Sequence, residues 1–264
     1  MSRTVILFLA CAVLMIETAA VAAEAAKPVT LHIVYDNYPC ADGLKTNWGF
    51  GCVLEGAEKT ILFDTGTKGD LLLENFAKMG LDPRAPKLVI LSHNHNDHTG
   101  GLAAFLEKNH EVTVYVPASF PKESVEKVEA AGAKVVPVTK PVEICKGVYL
   151  TGETGDAIKE QGLILDRGDN LVLITGCAHP GIVAMTRQAK EHFKKDVAVV
   201  LGGFHLSKLS SSEAKAVAAE LKELGVREAG PSHCTGKEAI AAFEESFGKN
   251  FFKLGVGRTL VVSK

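Results

Sequence analysis

Four potential metal ligands fall within one short segment of this chain. The segment reads HNHNDH, and its candidate ligands are His93, His95, Asp97 and His98. Imidazole nitrogens and carboxylate oxygens bind divalent zinc and iron well. A tight loop that carries alternate ligands can present some of them to one ion and the others to a second ion close by. Two ions about 3.5–4 Å apart can act jointly on one substrate. The segment therefore predicts a metal site.

Apolar strand-like segments alternate with helical segments through most of the chain. Predicted strands are Val29–Tyr35, Phe50–Leu54, Thr60–Phe63, Lys87–Leu91, Leu171–Ile174 and Val197–Leu201, with a short one before GPSHCTG. Predicted helices are at about Leu102–Lys108, Ile182–Phe193, Ser212–Leu224 and Lys237–Phe247. Strands that alternate with helices indicate an α/β architecture.

Histidines follow the later strands at the points where the strands end. His179 stands in GCAHPG, His205 in GGFHL and His233 in PSHCTG. Ligand sites of α/β sheets lie at the carboxyl ends of strands, so we expect these loops to meet the HNHNDH segment. We predict that His179 binds metal. For His205 and His233 two roles stay open, metal ligand or hydrogen-bond donor and proton shuttle.

The remaining histidines and a few other residues have weaker signals. His32, His110 and His192 are predicted to be ordinary surface or packing residues. Asp64, in LFDTG, is expected to accept a hydrogen bond from a ligand imidazole, or alternatively to cap a helix that starts at about Gly69. Three aromatic residues are predicted either to line the mouth of the site or to pack in the core: Tyr38, Trp48 and Phe50.

The first 23 residues have the pattern of a secretory signal peptide, with Arg3, the apolar run Val5–Ile16 and a cleavage site near Ala23. A membrane anchor is the alternative, but the run is shorter than the roughly 20 apolar residues that cross a bilayer. We therefore predict a secreted or periplasmic protein whose residues 24–264 form one domain, with no membrane span after cleavage.

Charge and cysteine content restrict the partners and the cross-links. The formal net charge of −2 gives no reason to expect a nucleic-acid partner. Cys11 lies in the leader, which leaves an odd number of cysteines. A Cys40–Cys52 disulfide and buried free thiols are both open. Cys177 and Cys234 flank two of the histidines; they are expected first of all to be small buried thiols, with metal ligation and pairing with each other as the alternatives.

LFDTG, HNHNDHTGG, GCAHPG and SHCTG, in this order, resemble the metallo-β-lactamase superfamily. Together with NWGFG and GGFHL they resemble the branch named after dihydropteridinyl-methyl ribofuranosylaminobenzene phosphate synthase. The resemblance implies an αββα sandwich, with two mixed sheets flanked by helices and a metal site along one edge. It implies that one metal is held by His93, His95 and His179, and the other by Asp97, His98 and His233.

One departure from the superfamily pattern concerns the second metal. An Asp that bridges the two metals usually follows the strand here predicted at Val197–Leu201, but this chain has GGFHL. Either His205 takes a ligand role, or the second metal is bound more weakly.

The expected function is that of a binuclear metal-dependent hydrolase. Its cofactors would be two divalent ions, zinc in the first place, with iron or manganese also open. Asp97 would hold the attacking hydroxide or relay its proton, and His205 would stabilise a developing oxyanion. The expected substrate is a small-molecule ester, lactone, lactam or phosphoester. The alternatives are an iron-dependent redox enzyme of the same fold, against which His95 counts because diiron relatives have Glu there, and a non-catalytic metal or ligand carrier.

Overall fold

The computed structural model describes residues 28–262. The predicted signal peptide, its cleavage site near Ala23 and Cys11 lie outside these residues. The strands are β1 Val29–Tyr35, β2 Gly51–Glu55, β3 Ile61–Phe63, β4 Leu88–Ile90, β5 Thr113–Pro117, β6 Lys134–Val138, β7 Val142–Cys145, β8 Val148–Leu150, β9 Leu163–Asp166, β10 Asn170–Thr175, β11 Asp196–Gly203, β12 Glu228–Ser232 and β13 Thr259–Val262. The α-helices are α1 Gly69–Lys78, α2 Asn96–Thr99, α3 Leu102–Lys108, α4 Lys122–Ala130, α5 Ile182–Phe193, α6 Ser211–Glu223 and α7 Lys237–Phe247.

The strands form two mixed sheets. The first has seven strands in the order β13-β1-β2-β3-β4-β5-β6, and the second has six in the order β12-β11-β10-β9-β8-β7. From β3 to β6 the pairing is parallel, as it is from β10 to β12, whereas the remaining neighbours run antiparallel. The parallel strands therefore end at a common edge in each sheet.

Alternation of side chains along the strands explains why the sheets are layered with helices. Ile61 and Phe63 of β3 point into the core between the two sheets, whereas Leu62 points to the opposite face and packs with helices α1 and α3. Helices α5, α6 and α7 cover the outer face of the second sheet. Strands that are buried on both faces read as continuous apolar runs. The αββα sandwich is confirmed.

Several element bounds agree with the sequence analysis. Strand β1 and helices α3, α5 and α7 have the predicted bounds, and α6 begins one residue earlier, at Ser211. A capping box explains that start, because Ser210 accepts a hydrogen bond from the Glu213 amide and the Glu213 carboxylate accepts one from the Ser210 amide.

The Cys40–Cys52 disulfide is not formed, since all five cysteines of residues 28–262 are free thiols. Within the same range no helix is both long enough and apolar enough to cross a membrane.

A buried carboxyl group joins the end of β1 to the end of β12. Asp36 is fully buried, and it accepts hydrogen bonds from the Ser232 hydroxyl at 2.5 Å and from the Tyr38 amide at 2.9 Å. Burial raises the pKa of Asp36 from 3.8 to about 7, although both hydrogen bonds act in the opposite direction. The folded protein thus keeps a proton that the unfolded chain has already released.

We therefore expect Asp36 to make stability depend on pH. Because its folded-state pKa lies above its unfolded value, its contribution to the free energy of unfolding falls as pH rises from about 4 to about 7. The total fall is at most about 4 kcal/mol. Urea unfolding of the wild type and of Asp36→Asn across this range measures it, and the variant should lose most of the slope. Asp42→Asn, at an exposed loop position, is the control, and an unchanged slope in Asp36→Asn would contradict the assignment.

Candidate metal centre

Loops at the carboxyl ends of β3, β4, β10 and β12 meet at one edge of the sandwich. The ring of His179 lies 4.8 Å from that of His93 and 4.9 Å from that of His95, centroid to centroid. The rings of His98 and His233 are 5.1 Å apart. The structure thus brings the HNHNDH segment together with two histidines that are distant in sequence.

His93, His95 and His179 form the first group of potential ligands. One ring nitrogen of each lies within 4.8 Å of the others, and His93 Nε2 is 3.1 Å from His95 Nδ1. The Nε2 atom of His179 is buried and has no hydrogen-bond partner. A buried polar atom without a partner is unfavourable, and a metal ion would satisfy it. These residues fit a divalent cation.

A second group consists of Asp97, His98, Cys177 and His233, whose donor atoms also lie within 4.8 Å of one another. Asp97 Oδ2 is 3.6 Å from His98 Nε2 and 3.2 Å from His233 Nε2. The latter contact is close but poorly directed for a hydrogen bond, and His233 Nε2 has no hydrogen-bond partner. This group also fits a cation, since a carboxylate and imidazoles converge on one buried point.

Asp64 fixes the orientation of two imidazoles. Its Oδ2 accepts hydrogen bonds from His98 Nδ1 and from the Ser92 hydroxyl, both at 2.7 Å, and its Oδ1 accepts one from the Ser92 amide. Because the Ser92 hydroxyl donates to Asp64, its oxygen accepts from His93 Nδ1, 2.9 Å away. Nδ1 of both rings therefore carries the proton, and Nε2 of both is left as the metal-binding atom.

The alternative role for Asp64 is wrong. Helix α1 begins at Gly69 with Lys68 at its N-cap position, and no side chain caps it. The predicted hydrogen bond, which Asp64 accepts from a ligand imidazole, is present, and its donor is His98 Nδ1.

Glu160 holds the loop that carries His179. Its fully buried carboxylate accepts three backbone N–H groups, those of Cys177, Ala178 and His179, each at 2.9 Å. Burial raises the pKa of Glu160, while these amides act to lower it. Sequence analysis missed Glu160, because a single acidic residue in a polar segment gives no sign that it is buried.

Asn37 orients His233 in a similar way. Asn37 Oδ1 lies 2.9 Å from His233 Nδ1 and its amide group donates to the His233 carbonyl. Since Oδ1 is an acceptor, Nδ1 of His233 is the protonated nitrogen and Nε2 faces Asp97. Sequence analysis also missed Asn37, because it lies 196 positions before His233 in the chain.

The protonation equilibria of the site affect cation binding in two ways, because a neutral ring can bind a metal directly whereas a protonated ring must first release a proton. Burial and neighbouring imidazoles lower the pKa of His93, and they lower that of His179 to about 4, which leaves neutral rings with free lone pairs. Burial acts to lower the pKa of His98, but the charges of Asp64 and Asp97 outweigh it and raise that pKa to about 9. The raised value reflects buried negative charge that attracts a cation.

His205 lies at the rim of the site. It is exposed, its ring lies 4.3 Å from that of His179, and it belongs to a third group of potential ligands with Cys177 and Cys234 rather than to the group of Asp97. Phe204, just after β11, is buried against Phe243. The first residue after β11 therefore packs in the core and supplies no ligand.

Four residues of the site have backbone conformations that side chains rarely adopt. Asp64, Ala178, His205 and His233 have φ angles of 54°, 56°, 54° and 50°. Such strain persists only where the surroundings enforce it, and it is common at functional sites. In this chain it falls on the loops that supply the ligands.

The aromatic residues near the site divide between the two predicted roles. Trp48 is 52% exposed, and its ring lies 4.7 Å from that of His233, so it lines the mouth. For Phe50 the mouth-lining role is wrong, because its ring is fully buried against Phe63. Tyr38 is half-buried.

The other histidines lie apart from the ligand groups: His32 pairs with Glu55, His110 is exposed and His192 packs on Phe193.

Comparisons with known proteins agree with this geometry. Residues 52–186 match the family model of the metallo-beta-lactamase superfamily. The chain is 29% identical, over 78% of its own length and 85% of the relative's, to 7,8-dihydropterin-6-methyl-4-(beta-D-ribofuranosyl)-aminobenzene-5'-phosphate synthase of Methanocaldococcus jannaschii. An uncharacterised protein of the same organism is 27% identical over 80% of this chain and 92% of that protein.

Among solved structures, a metal-dependent hydrolase of the beta-lactamase superfamily superposes with a TM-score of 0.76 at 29% identity, covering 89% of this chain and 100% of that one. The superfamily fold and the ligand groups together indicate divalent metal binding. The chain belongs to the metallo-beta-lactamase superfamily, and within it the branch of the dihydropterin synthase.

Proposed function

We propose that the protein is a binuclear metal-dependent hydrolase that cleaves an ester, lactone, lactam or phosphoester of a small molecule. One observation carries the proposal: two groups of ligand atoms adjoin each other, with the rings of His93 and His98 4.3 Å apart. The first group is made of His93, His95 and His179, and the second contains Asp97, His98 and His233. The similarity to a solved metal-dependent hydrolase supports the same reaction class.

The ligand types are those of zinc, which we propose as the metal, and imidazole and carboxylate would also accept iron or manganese. When bound, two such ions supply Lewis acidity towards a substrate oxygen and allow water to act as a nucleophile at neutral pH.

Asp97 and His205 have the side chains best placed to move protons. Burial acts to raise the pKa of Asp97, but His233 and His98 hold it well below its usual range, so Asp97 stays ionised and accepts hydrogen bonds. A hydrogen bond with Cys234 raises the pKa of His205. His205 is therefore suited to donate a proton or a hydrogen bond from the rim to an oxygen that gains negative charge.

The position of Trp48 indicates a substrate with an apolar or heterocyclic part, because its exposed ring forms a wall beside His233. We expect Trp48→Ala to raise KM about tenfold with a smaller change in kcat, as loss of an aromatic contact costs about 1 kcal/mol or more. Steady-state kinetics on the best substrate measure this. Trp48→Phe should restore most of the affinity, and a Trp48→Ala protein with unchanged KM would exclude Trp48 from the substrate contact.

The proposal is tested by a panel of phosphodiester, ester, lactone and lactam substrates, with metal content measured on the same protein. Hydrolysis of one class, abolished by a chelator and restored by zinc, is the expected result. Tight metal binding without turnover of any class would favour the non-catalytic carrier. Iron with a visible chromophore would favour redox chemistry.

A synthase is the second candidate, because the methanogen relative with that name covers most of this chain. A pterin-dependent condensation would then be the reaction to assay. We favour hydrolysis, since an N-terminal export signal would separate the protein from cytoplasmic pterin synthesis. Secretion or periplasmic localisation is itself part of the proposal, and the N-terminal residue of the mature protein tests it.

A further inference from the structure

The second ligand group lacks the carboxylate that the superfamily pattern places after β11, and a thiol from a different loop lies in the group instead. Phe204 follows β11 and is buried in the core, whereas Cys177, on the loop after β10, has its Sγ 3.2 Å from His98 Nε2. We propose that the Cys177 thiolate is the fourth ligand of the second metal ion, together with Asp97, His98 and His233. This inference rests on the metal binding of the proposed function.

The distances within the group suit one tetrahedral ion. With metal–sulfur bonds of about 2.3 Å and metal–nitrogen bonds of about 2.0–2.1 Å, neighbouring ligand atoms lie about 3.3–3.6 Å apart. His98 Nε2 is 3.2 Å from Cys177 Sγ and 3.6 Å from Asp97 Oδ2. Asp97 Oδ2 is 3.2 Å from His233 Nε2. All four donor atoms lie within 4.8 Å of one another, so the group is close in size to a tetrahedral metal site.

The backbone of the β10–α5 loop explains how one turn serves two ions. Glu160 binds the amides of three consecutive residues, and Ala178 between the two ligands adopts a φ of 56°. This conformation places Cys177 in the second ligand group and His179 in the first. The loop consequently links the two metal sites, as a bridging side chain after β11 does in the superfamily pattern.

Charge also favours a thiolate at this position. The side chains of His98 and His233 are fully buried, and Cys177 is 3% exposed. A divalent ion bound by two neutral imidazoles and Asp97 alone keeps one positive charge in its ligand shell, and the Asp64 carboxylate balances it only indirectly, through the His98 ring. A thiolate cancels that charge. A soft sulfur ligand also selects zinc over magnesium or manganese.

Cys234 is an alternative partner for the Cys177 thiol. With His205 it forms the third group around Cys177. However, Cys234 Sγ donates to the Cys177 carbonyl oxygen at 3.6 Å, and it is absent from the group that contains Asp97. Cys234 is therefore the matched control, being a thiol of similar burial beside the same loop.

The experiment replaces the native metal with Co²⁺, because a thiolate bound to Co²⁺ gives a charge-transfer band in the near ultraviolet. The wild type, Cys177→Ser, Cys177→Asp and Cys234→Ser are titrated with Co²⁺, and metal content is measured by elemental analysis. We expect the band in the wild type and in Cys234→Ser. Cys177→Ser should lose the band and bind the second Co²⁺ at least tenfold more weakly. Cys177→Asp should lose the band and still bind two equivalents, because a carboxylate can take the place of the thiolate.

Two results would overturn the inference. One is a band that persists in Cys177→Ser, and the other is a band that disappears in Cys234→Ser. Retention of the first Co²⁺ by Cys177→Ser shows that this variant is folded, and Cys177→Asp provides a second reading if the serine variant is unstable. Failure of the proposed hydrolysis is distinguishable, because a protein with the thiolate band and no turnover would refute the hydrolase alone.

Discussion

Replacing His95 by alanine is expected to lower kcat/KM for the best substrate by about a thousandfold and to remove metal from the first ligand group. His95 supplies one of the three imidazoles of that group, and its Nδ1 lies 3.1 Å from His93 Nε2. Two imidazoles seldom retain a divalent ion that needs three or four protein ligands. A bound metal contributes several kcal/mol to catalysis, and each 1.36 kcal/mol corresponds to a tenfold change in rate.

The measurement compares metal content and kcat/KM in wild type, His95→Ala and His110→Ala. His110 is exposed and lies apart from the ligand groups, so its replacement should leave both quantities near those of the wild type. Turnover of an ester or phosphodiester by a metal-free His95→Ala protein would remove the basis of the proposed mechanism.

The sequence predicted those parts of the site that depend on local spacing. The short spacing within HNHNDH keeps its ligands close together in any fold. In the structure His95 is the N-cap of α2, and Asp97 and His98 lie within that helix. Each later histidine follows a parallel strand of the second sheet, and parallel strands end at one edge. That convergence could therefore be inferred before any distance was known.

The residues that support the ligands could not be predicted in this way. Glu160 and Asn37 act through buried contacts with loops far away in sequence, and burial of a polar side chain leaves no periodic pattern. For Cys177 a buried packing role was preferred over metal ligation, since a thiol is a small, soft side chain that commonly fills space in a core. Its proximity to His98 depends on how the β4 and β10 loops approach each other.

The helices and strands of the fold also differ in how well the sequence predicted them. Helices α3, α5, α6 and α7 were predicted closely, whereas helix α4 and strands β5 to β9 and β13 were not assigned. Some of these strands, such as β8, are only three residues long, which is too short for an alternating pattern to stand out. The two-sheet arrangement followed from the family resemblance and not from the pattern, since apolar strands alone do not determine which sheet they join.

Removal of the Glu160 carboxylate is expected to lower both the stability of the fold and the metal affinity of the first ligand group. Oε1 accepts the amides of Cys177 and Ala178, and Oε2 accepts that of His179. In Glu160→Ala these buried donors lose their acceptor, at about 1–3 kcal/mol each when no water replaces it. Partial relaxation of the loop makes a total of about 3 kcal/mol reasonable. The loop carries His179, so metal affinity of the first group should fall about 10–100-fold, as for other groups that orient ligands.

Glu160→Gln separates hydrogen bonding from charge. Its single carbonyl oxygen can still accept two amides, whereas its NH₂ group would face the third amide, a donor opposite a donor. We therefore expect Glu160→Gln to lie between the wild type and Glu160→Ala, both in urea unfolding of the metal-free protein and in zinc affinity measured against a competing chelator. Glu129→Ala, at an exposed position of α4, controls for loss of an acidic side chain. If Glu160→Ala bound zinc as tightly as the wild type, the amide contacts would stabilise the fold without orienting His179, because the loop would then hold its ligand geometry without the carboxylate.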